Sequence, residues 1–352
     1  MSERRWTAAD FDYSLPEELI AQTPAPERGG SRLLVVEREC ADSCRDASFT
    51  DLAGIIPAGD LLVVNSTRVR HARLRGTRPS GGPAEVLLIH PGADDTWIAM
   101  GTPGSAMQPG RRIDLGDNVA VETLQVLEDG MRRVRFIGAS ASAAIARYGQ
   151  IPLPPYIARE PTADDERRYQ TVYADREGSV AAPTAGLHFT DRLLDSLRSG
   201  GVRVASLDLE VGPGTFRPMQ DGEVIEHAMH AERFAIPVDL ADAVAACRTR
   251  GGSIWAVGTT VVRALESAAR DDGSLTPGEA ETRLMIVPGY RFRSVDHLIT
   301  NFHLPRSTLL MLVAAFAGYE TAMAAYRHAV DQQYRFYSYG DAMCVVGGSR
   351  ES

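Results

Sequence analysis

Leu61-Leu-Val-Val64, Glu85-Val-Leu-Leu-Ile89, Trp97-Ile-Ala-Met100, Val119-Ala-Val-Glu-Thr-Leu-Gln-Val126 and Arg133-Val-Arg-Phe-Ile137 are short runs separated by Gly, Pro and Asp turns, and the pattern stops at Pro152-Leu-Pro-Pro155. Closely spaced runs of this length predict the strands of a small barrel or sandwich. Beyond the prolines, helices and strands alternate. A helix is expected from about Thr190 to Ser199, stopped by Gly200-Gly201, and a strand over Val202 to Val211. Further helices are expected over Leu240 to Arg250 and Val261 to Arg270, with strands over Ser253 to Val257 and Leu284 to Val287. Such alternation predicts an α/β domain, and Phe11 to Val64 carries a comparable pattern. The expected fold is α/β: a mixed-sheet domain of residues 1–69 and 149–352, interrupted by an inserted small β-barrel over 70–148.

The 352 residues are 44% hydrophobic and 24% charged, an ordinary globular composition long enough for two domains. The first residues carry charges and no apolar h-region, and the most apolar run, Leu309 to Ala317, is far shorter than a bilayer span. A cytoplasmic protein with no membrane association is expected. Cys40, Cys44, Cys247 and Cys344 make neither a disulfide framework nor a zinc motif. Every one of the 37 basic residues is Arg. Ten of them stand between Arg68 and Arg135 against eight acids, so that segment is locally positive in a chain of net charge −9. Any contact with a polyanion is then local, because the overall field repels it.

Two polar stretches are ones that a packed core would not need: Gly178-Ser-Val-Ala-Ala-Pro-Thr-Ala-Gly-Leu-His188-Phe-Thr190 and Ile299-Thr-Asn-Phe-His303-Leu-Pro305. Each sets one His among small or hydroxylated residues directly before a helical pattern, which is how a chain builds a site. Gly258-Thr-Thr260 follows an apolar strand and opens a helix with Arg263 in its first turn, a pocket suited to a carboxylate or phosphate, although plain capping explains the Thr equally well. His227-Ala-Met-His230-Ala-Glu232 resembles a metal-ligand cluster but lacks a clear further ligand, so a hydrogen-bonded His–Glu pair is expected and no metal. Glu210-Val-Gly-Pro-Gly lacks the dinucleotide-binding glycine spacing, and no Walker A sequence occurs. Ser307-Thr308 caps the apolar helix that would hold the Asn301 and His303 loop rigid. Tyr334-Arg-Phe-Tyr-Ser-Tyr-Gly-Asp341 alternates like a strand, with aromatic residues able to stack on a base or face a cation.

In order along the chain, Phe11 to Gln22, Gly59 to Val69, Pro152 to Ile157, Tyr169 to Tyr173, Val180 to Phe189, Ala256 to Thr260, Thr300 to Pro305 and Tyr337 to Met343 resemble the S-adenosylmethionine:tRNA ribosyltransferase-isomerase family of queuosine biosynthesis. The resemblance implies an α/β domain with an inserted β-barrel. It also implies transfer of the ribosyl part of S-adenosylmethionine to the aminomethyl-deazaguanine (preQ1) base of a tRNA anticodon, giving epoxyqueuosine-tRNA, adenine and methionine. S-adenosylmethionine is then a consumed substrate, no cofactor is implied, the tRNA anticodon stem-loop is the partner, and a monomer is expected.

That reaction needs a base beside the ribose C5′, whose hydrogens the sulfonium acidifies, and a donor for departing adenine. His188, His230 and His303 are the candidates, with Glu232 and Asp341 to orient them or face the sulfonium. Thr184, Thr259, Thr260 and Arg263 would hold ribose hydroxyls or the methionine carboxylate, and the matched motifs imply binding roles for Asn65, Arg68, Asn301 and Tyr339. The chain departs from the family pattern at Glu210, where His is usual, at Ser66 in place of Asn or Asp, at Val287 in place of Tyr, and over Thr102 to Gln108, which carries no basic residue. These departures leave a relative acting on a small-molecule acceptor as the alternative, with Glu210 binding its amine. An RNA-binding protein or a metal-dependent hydrolase using His227, His230 and Glu232 comes after that.

Overall fold

The computed structural model describes residues 5–128, 130–212 and 231–347. Its larger sheet has nine strands in the order Gly278–Thr282, Glu232–Ile236, Arg203–Leu209, Leu61–Asn65, Ile254–Val257, His297–Asn301, Ala342–Val346, Arg32–Glu37, Arg45–Ser48. The four strands from Arg203–Leu209 to His297–Asn301 are mutually parallel. Ala342–Val346 runs antiparallel to His297–Asn301 and parallel to Arg32–Glu37.

The apolar runs form strands here because both faces of the sheet are covered. Leu61 and Val63 enter one core with Leu34, Val36, Ile254 and Ala256, whereas Leu62 and Val64 enter a second core with Leu33, Val35, Trp255 and Val257. The helices Val238–Thr249, Thr259–Ala268, Thr308–Ala317 and Tyr319–Asp331 supply the first core; Asp191–Ser199 supplies the second through Leu193, Leu194 and Leu197. Thr190 Oγ1 accepts from Leu193 N (3.1 Å), and Ser307 Oγ from Leu310 N (3.2 Å), so two expected helix starts carry real caps. No single helix among the described residues is long and apolar enough to cross a membrane.

The second sheet runs Gly149–Gln150, Arg73–Thr77, Pro83–Pro91, Trp97–Thr102, Arg132–Ile137, Val119–Val126, Arg112–Gly116, all antiparallel, and its second and last strands also pair, at Thr77 and Asp114. At that contact Gly76 lies so close that a Cβ would sit 2.3 Å from Asp114 O, an approach open only to glycine. A separate core of Leu74, Val86, Leu88, Ala99, Val121 and Val134 fills this sheet.

Three expectations need correction. Leu284 to Val287 is not a strand: Leu284 N turns back to Thr282 Oγ1 (3.0 Å) and its carbonyl accepts from Arg263 Nε (3.0 Å), leaving no ladder. Tyr334 to Asp341 is a loop folded on itself, because Asp341 N donates to Arg335 O (2.8 Å) and Arg335 N to Asp341 Oδ2 (2.9 Å). The helical residues ahead of Leu61 amount to single turns, Ala8–Phe11, Glu17–Leu19, Phe49–Asp51 and Leu52–Ile55.

Candidate active site

Four parallel strands end at one edge of the larger sheet, and Ala342–Val346 and Arg32–Glu37 begin there. Ligands of open α/β sheets bind outside such carboxyl ends. A cleft at this edge is lined by Tyr156, Thr184, Gly258, Thr259, Thr260, Thr300, Asn301, His303, Ser307, Tyr337 and Ser338, with Val211, Phe302, Leu304 and Leu309 among the apolar lining. Gly258, at φ 93, makes the sharp turn from strand to helix, and Thr259 and Thr260 carry the first-turn N–H groups that an α-helix leaves without intrahelical acceptors. None of the described lining residues is charged at neutral pH.

His303 lines this cleft and is 8% exposed. Burial pushes its pKa down to about 3, so it is a neutral imidazole, with Nε2 2.8 Å from Thr300 Oγ1. Its backbone is pinned: His303 N donates to Tyr326 Oη (3.0 Å), and its carbonyl accepts from Tyr13 Oη (2.5 Å).

His188, 5% exposed, stands behind the cleft and faces a smaller neighbouring pocket with Arg28, Ser31 and Arg168. Asn301 Nδ2 donates to its Nε2 (3.1 Å), so Nδ1 carries the proton and donates to Ser31 Oγ (2.9 Å). Burial lowers its pKa to about 4, against the opposing bond from Asn301. Both ring nitrogens are occupied, and Phe49 lies 4.9 Å from the ring.

Asn301 joins the two halves. Its Nδ2 donates to Tyr337 O (2.9 Å) as well as to His188, with Asp341 O a weak third at 3.5 Å. These acceptors fix the amide orientation, leaving Oδ1 buried without a partner; the residue is 1% exposed and lines the cleft. A buried acceptor left unsatisfied costs about 1–3 kcal/mol. Tyr337 holds a left-handed backbone, φ 70, and its ring lies 4.7 Å from that of Tyr156. Tyr156 Oη and Ser338 Oγ are 2.6 Å apart.

The remaining candidates lie elsewhere. Arg263 and Glu232 form a buried ion pair, with Arg263 4% and Glu232 6% exposed, away from the cleft lining. His227 and His230 fall outside the described residues, and among the described residues no group of His, Cys, Asp and Glu could hold a metal ion. Asn65 donates to Leu209 O (3.0 Å) and accepts from Thr67 N and Leu209 N (both 3.1 Å), so it ties two strand ends together. Arg68 donates to Ala174 O and Asp175 O. Tyr339 Oη donates to buried Asp165 (2.7 Å), which also holds Arg159. The Asp341 carboxylate accepts from Arg32 N and Arg335 N (both 2.9 Å) and so fastens the loop rather than facing the cleft.

Glu210 points into a separate groove with Arg176, Asp208, Arg233, Glu279 and Glu281. Burial, followed by Glu210, raises the Asp208 carboxyl, whose Oδ1 has no partner. In the locally positive segment, Arg73 and Arg75 pair with Glu85, and Arg112 and Arg135 with Glu122, so much of its charge is spent internally. Residue patterns missed Tyr156 as a cleft residue, although it lies in a matched motif, and offered Tyr337 only as one of several aromatics able to stack on a base; Ser31, the partner of His188, carries no local signal.

Residues 8–345 match the family model described as Queuosine biosynthesis protein. Similar curated relatives include the S-adenosylmethionine:tRNA ribosyltransferase-isomerases of Cupriavidus pinatubonensis, 52% identical over 97% of this chain and 99% of the relative, and of Anaeromyxobacter sp., 50% identical over 96% and 98%. The crystal structure of S-adenosylmethionine tRNA ribosyltransferase from Thermotoga maritima is similar with a TM-score of 0.55 and 35% identity, covering 96% of this chain and 100% of that one. The chain belongs to the queuosine biosynthesis protein family.

Proposed function

We propose that this chain is an S-adenosylmethionine:tRNA ribosyltransferase-isomerase, transferring and isomerising the ribosyl moiety of S-adenosylmethionine onto the aminomethyl-deazaguanine base of tRNA, with release of adenine and methionine. One observation carries the assignment. Motifs as far apart in sequence as Val180 to Phe189, Ala256 to Thr260, Thr300 to Pro305 and Tyr337 to Met343 contribute side chains to a single cleft at the carboxyl ends of the parallel strands.

The lining suits the donor substrate. Tyr156 and Tyr337 offer aromatic faces to a flat heterocycle, and the start of Thr259–Ala268 offers N–H groups to the methionine carboxylate. Hydroxyls of Thr184, Thr259 and Thr260 suit ribose. Among the described lining residues no side chain is anionic, so none of these compensates the sulfonium charge, which favours steps that expel neutral methionine thioether. His303 is the imidazole placed to exchange a proton with C5′ or with departing adenine.

S-adenosylmethionine is consumed, and we assign neither cofactor nor metal. We further propose the tRNA anticodon stem-loop as the acceptor, a cytoplasmic monomer, and a small closed barrel over 70–148 inserted in an α/β domain of 1–69 and 149–352. The Thr77–Asp114 pairing and the separate core of the second sheet support that barrel. The test is incubation with S-adenosylmethionine and tRNA bearing the aminomethyl-deazaguanine base, followed by mass spectrometry of adenine, methionine and digested tRNA. Epoxyqueuosine with equimolar adenine is expected; breakdown of S-adenosylmethionine with unmodified tRNA would overturn the acceptor, and no breakdown would overturn the assignment.

A further inference from the structure

We infer that Asn301 Oδ1 is the acceptor that reads the exocyclic amino group of the adenine in S-adenosylmethionine, and that His188 is its positioning residue rather than a base. The inference rests on the ribosyltransferase assignment and names one contact within it. Asn301 has spent its donors: Nδ2 faces His188 Nε2 at 3.1 Å and Tyr337 O at 2.9 Å. What it retains is a single buried, unsatisfied oxygen, on a residue that lines the cleft and is 1% exposed. Only a donor can satisfy that oxygen, so a carboxylate or a purine ring nitrogen is refused there.

The surroundings choose among the donors of the substrate. Asn301 is bonded to the backbone of Tyr337, whose ring pairs with Tyr156 at 4.7 Å, and it is followed by Phe302 in the chain. Tyr156, Phe302 and Tyr337 line the same cleft as Asn301, and aromatic faces there suit a flat base. Asn301 Nδ2 can only donate, so His188 Nε2 accepts and the proton stays on Nδ1, which faces Ser31 Oγ at 2.9 Å. A histidine whose two nitrogens are so occupied has none left to take a proton from C5′.

The experiment compares S-adenosylmethionine with the analogue in which hydrogen replaces the purine amino group, using the wild-type chain and measuring binding by calorimetry and turnover by adenine or purine release. The analogue is expected to bind about tenfold more weakly, equivalent to the loss of one hydrogen bond to a buried oxygen. Asn301→Ala should bind both compounds equally. Equal affinity of the wild-type chain for both compounds would overturn the inference while leaving the function intact; failure of S-adenosylmethionine itself to bind would strike the function instead. His188→Gln, whose Oε1 can replace Nε2 as acceptor but cannot serve as a base, should keep turnover within about tenfold of wild type, whereas His188→Leu should raise the KM for S-adenosylmethionine and abolish the preference for the amino group. If both variants lose kcat alike with KM unchanged, His188 is the base and its positioning role is excluded. The wild-type comparison stands even if Asn301→Ala does not fold.

Discussion

The end of one strand opens onto two unlike places. Arg203–Leu209 and the two residues after it send Val211 to the uncharged cleft and Asp208 and Glu210 into a groove that also holds Arg176, Arg233, Glu279 and Glu281. In the cleft, His303 and the amide nitrogen of Asn301 are buried and held by named partners, and both imidazoles nearby are kept neutral by burial. In the groove, charges are partly solvated and their pairs loose: Arg233 and Glu281 are 3.4 Å apart, each side chain 56% exposed. A substitution in the groove changes a field screened by water, whereas one near the cleft removes an organised partner. Glu210 therefore sits where a substitution has a small effect.

The sharpest way to break this contrast is through the buried pair of Arg263 and Glu232. Glu232→Leu would leave the Arg263 guanidinium buried without its carboxylate, at a cost of about 3–5 kcal/mol, and Glu232→Leu with Arg263→Met should recover most of it. Urea denaturation of both variants measures this; a loss below about 1 kcal/mol in the single variant would put the pair in the same class as the exposed groove pairs.

Next in size is an acid dependence. His188 and His303 have folded pKa values below the unfolded value near 6.5, so the unfolded chain binds more protons and stability falls as pH drops from about 6.5 toward 4. For His188 the loss is on the order of 3 kcal/mol. The melting temperature of His188→Gln should fall less steeply over that window than that of the wild type; parallel curves would show that His188 is not held neutral.

His303→Ala should lower kcat about 100-fold or more if the imidazole exchanges a proton in the reaction, with the KM for S-adenosylmethionine within about threefold, as steady-state adenine release would show. Smallest is Glu210→His, which places there the residue that the resemblance leads one to expect. Because Glu210 faces the groove, the KM for S-adenosylmethionine should change less than about twofold; a larger change would mean that groove and cleft are one site.

Much of this architecture is legible in the residues because its signals are local. Leu61 to Val64 and Ile254 to Val257 are continuous apolar runs that suit strands buried on both faces, and Thr190 and Ser307 announce helices that do begin there. Leu284 to Val287 and Tyr334 to Asp341 look like strands but lack a free neighbour to pair with, which depends on the rest of the chain. The same limit governs the site. His303 and Asn301 stand out in a polar motif, but nothing local reveals that Asn301 Nδ2 occupies one nitrogen of His188 and Ser31 the other, since those partners are 113 and 157 residues away. The pairing of Arg263 with Glu232 is hidden for the same reason: each suits substrate chemistry alone, and nothing local announces that they meet.

The position of Ala342–Val346 bears on how the enzyme comes into being. This last strand is inserted between His297–Asn301 and Arg32–Glu37, and Asp341 just ahead of it fastens Arg32 and Arg335. A chain still being synthesised has its amino-terminal strand in hand but not the strand that joins it to the rest of the sheet, so Arg32–Glu37 must wait for nearly the whole sequence to emerge. Activity should therefore arise only on completion of the chain, and a premature stop before residue 342 should yield no partly working product but an unclosed sheet exposed to proteolysis.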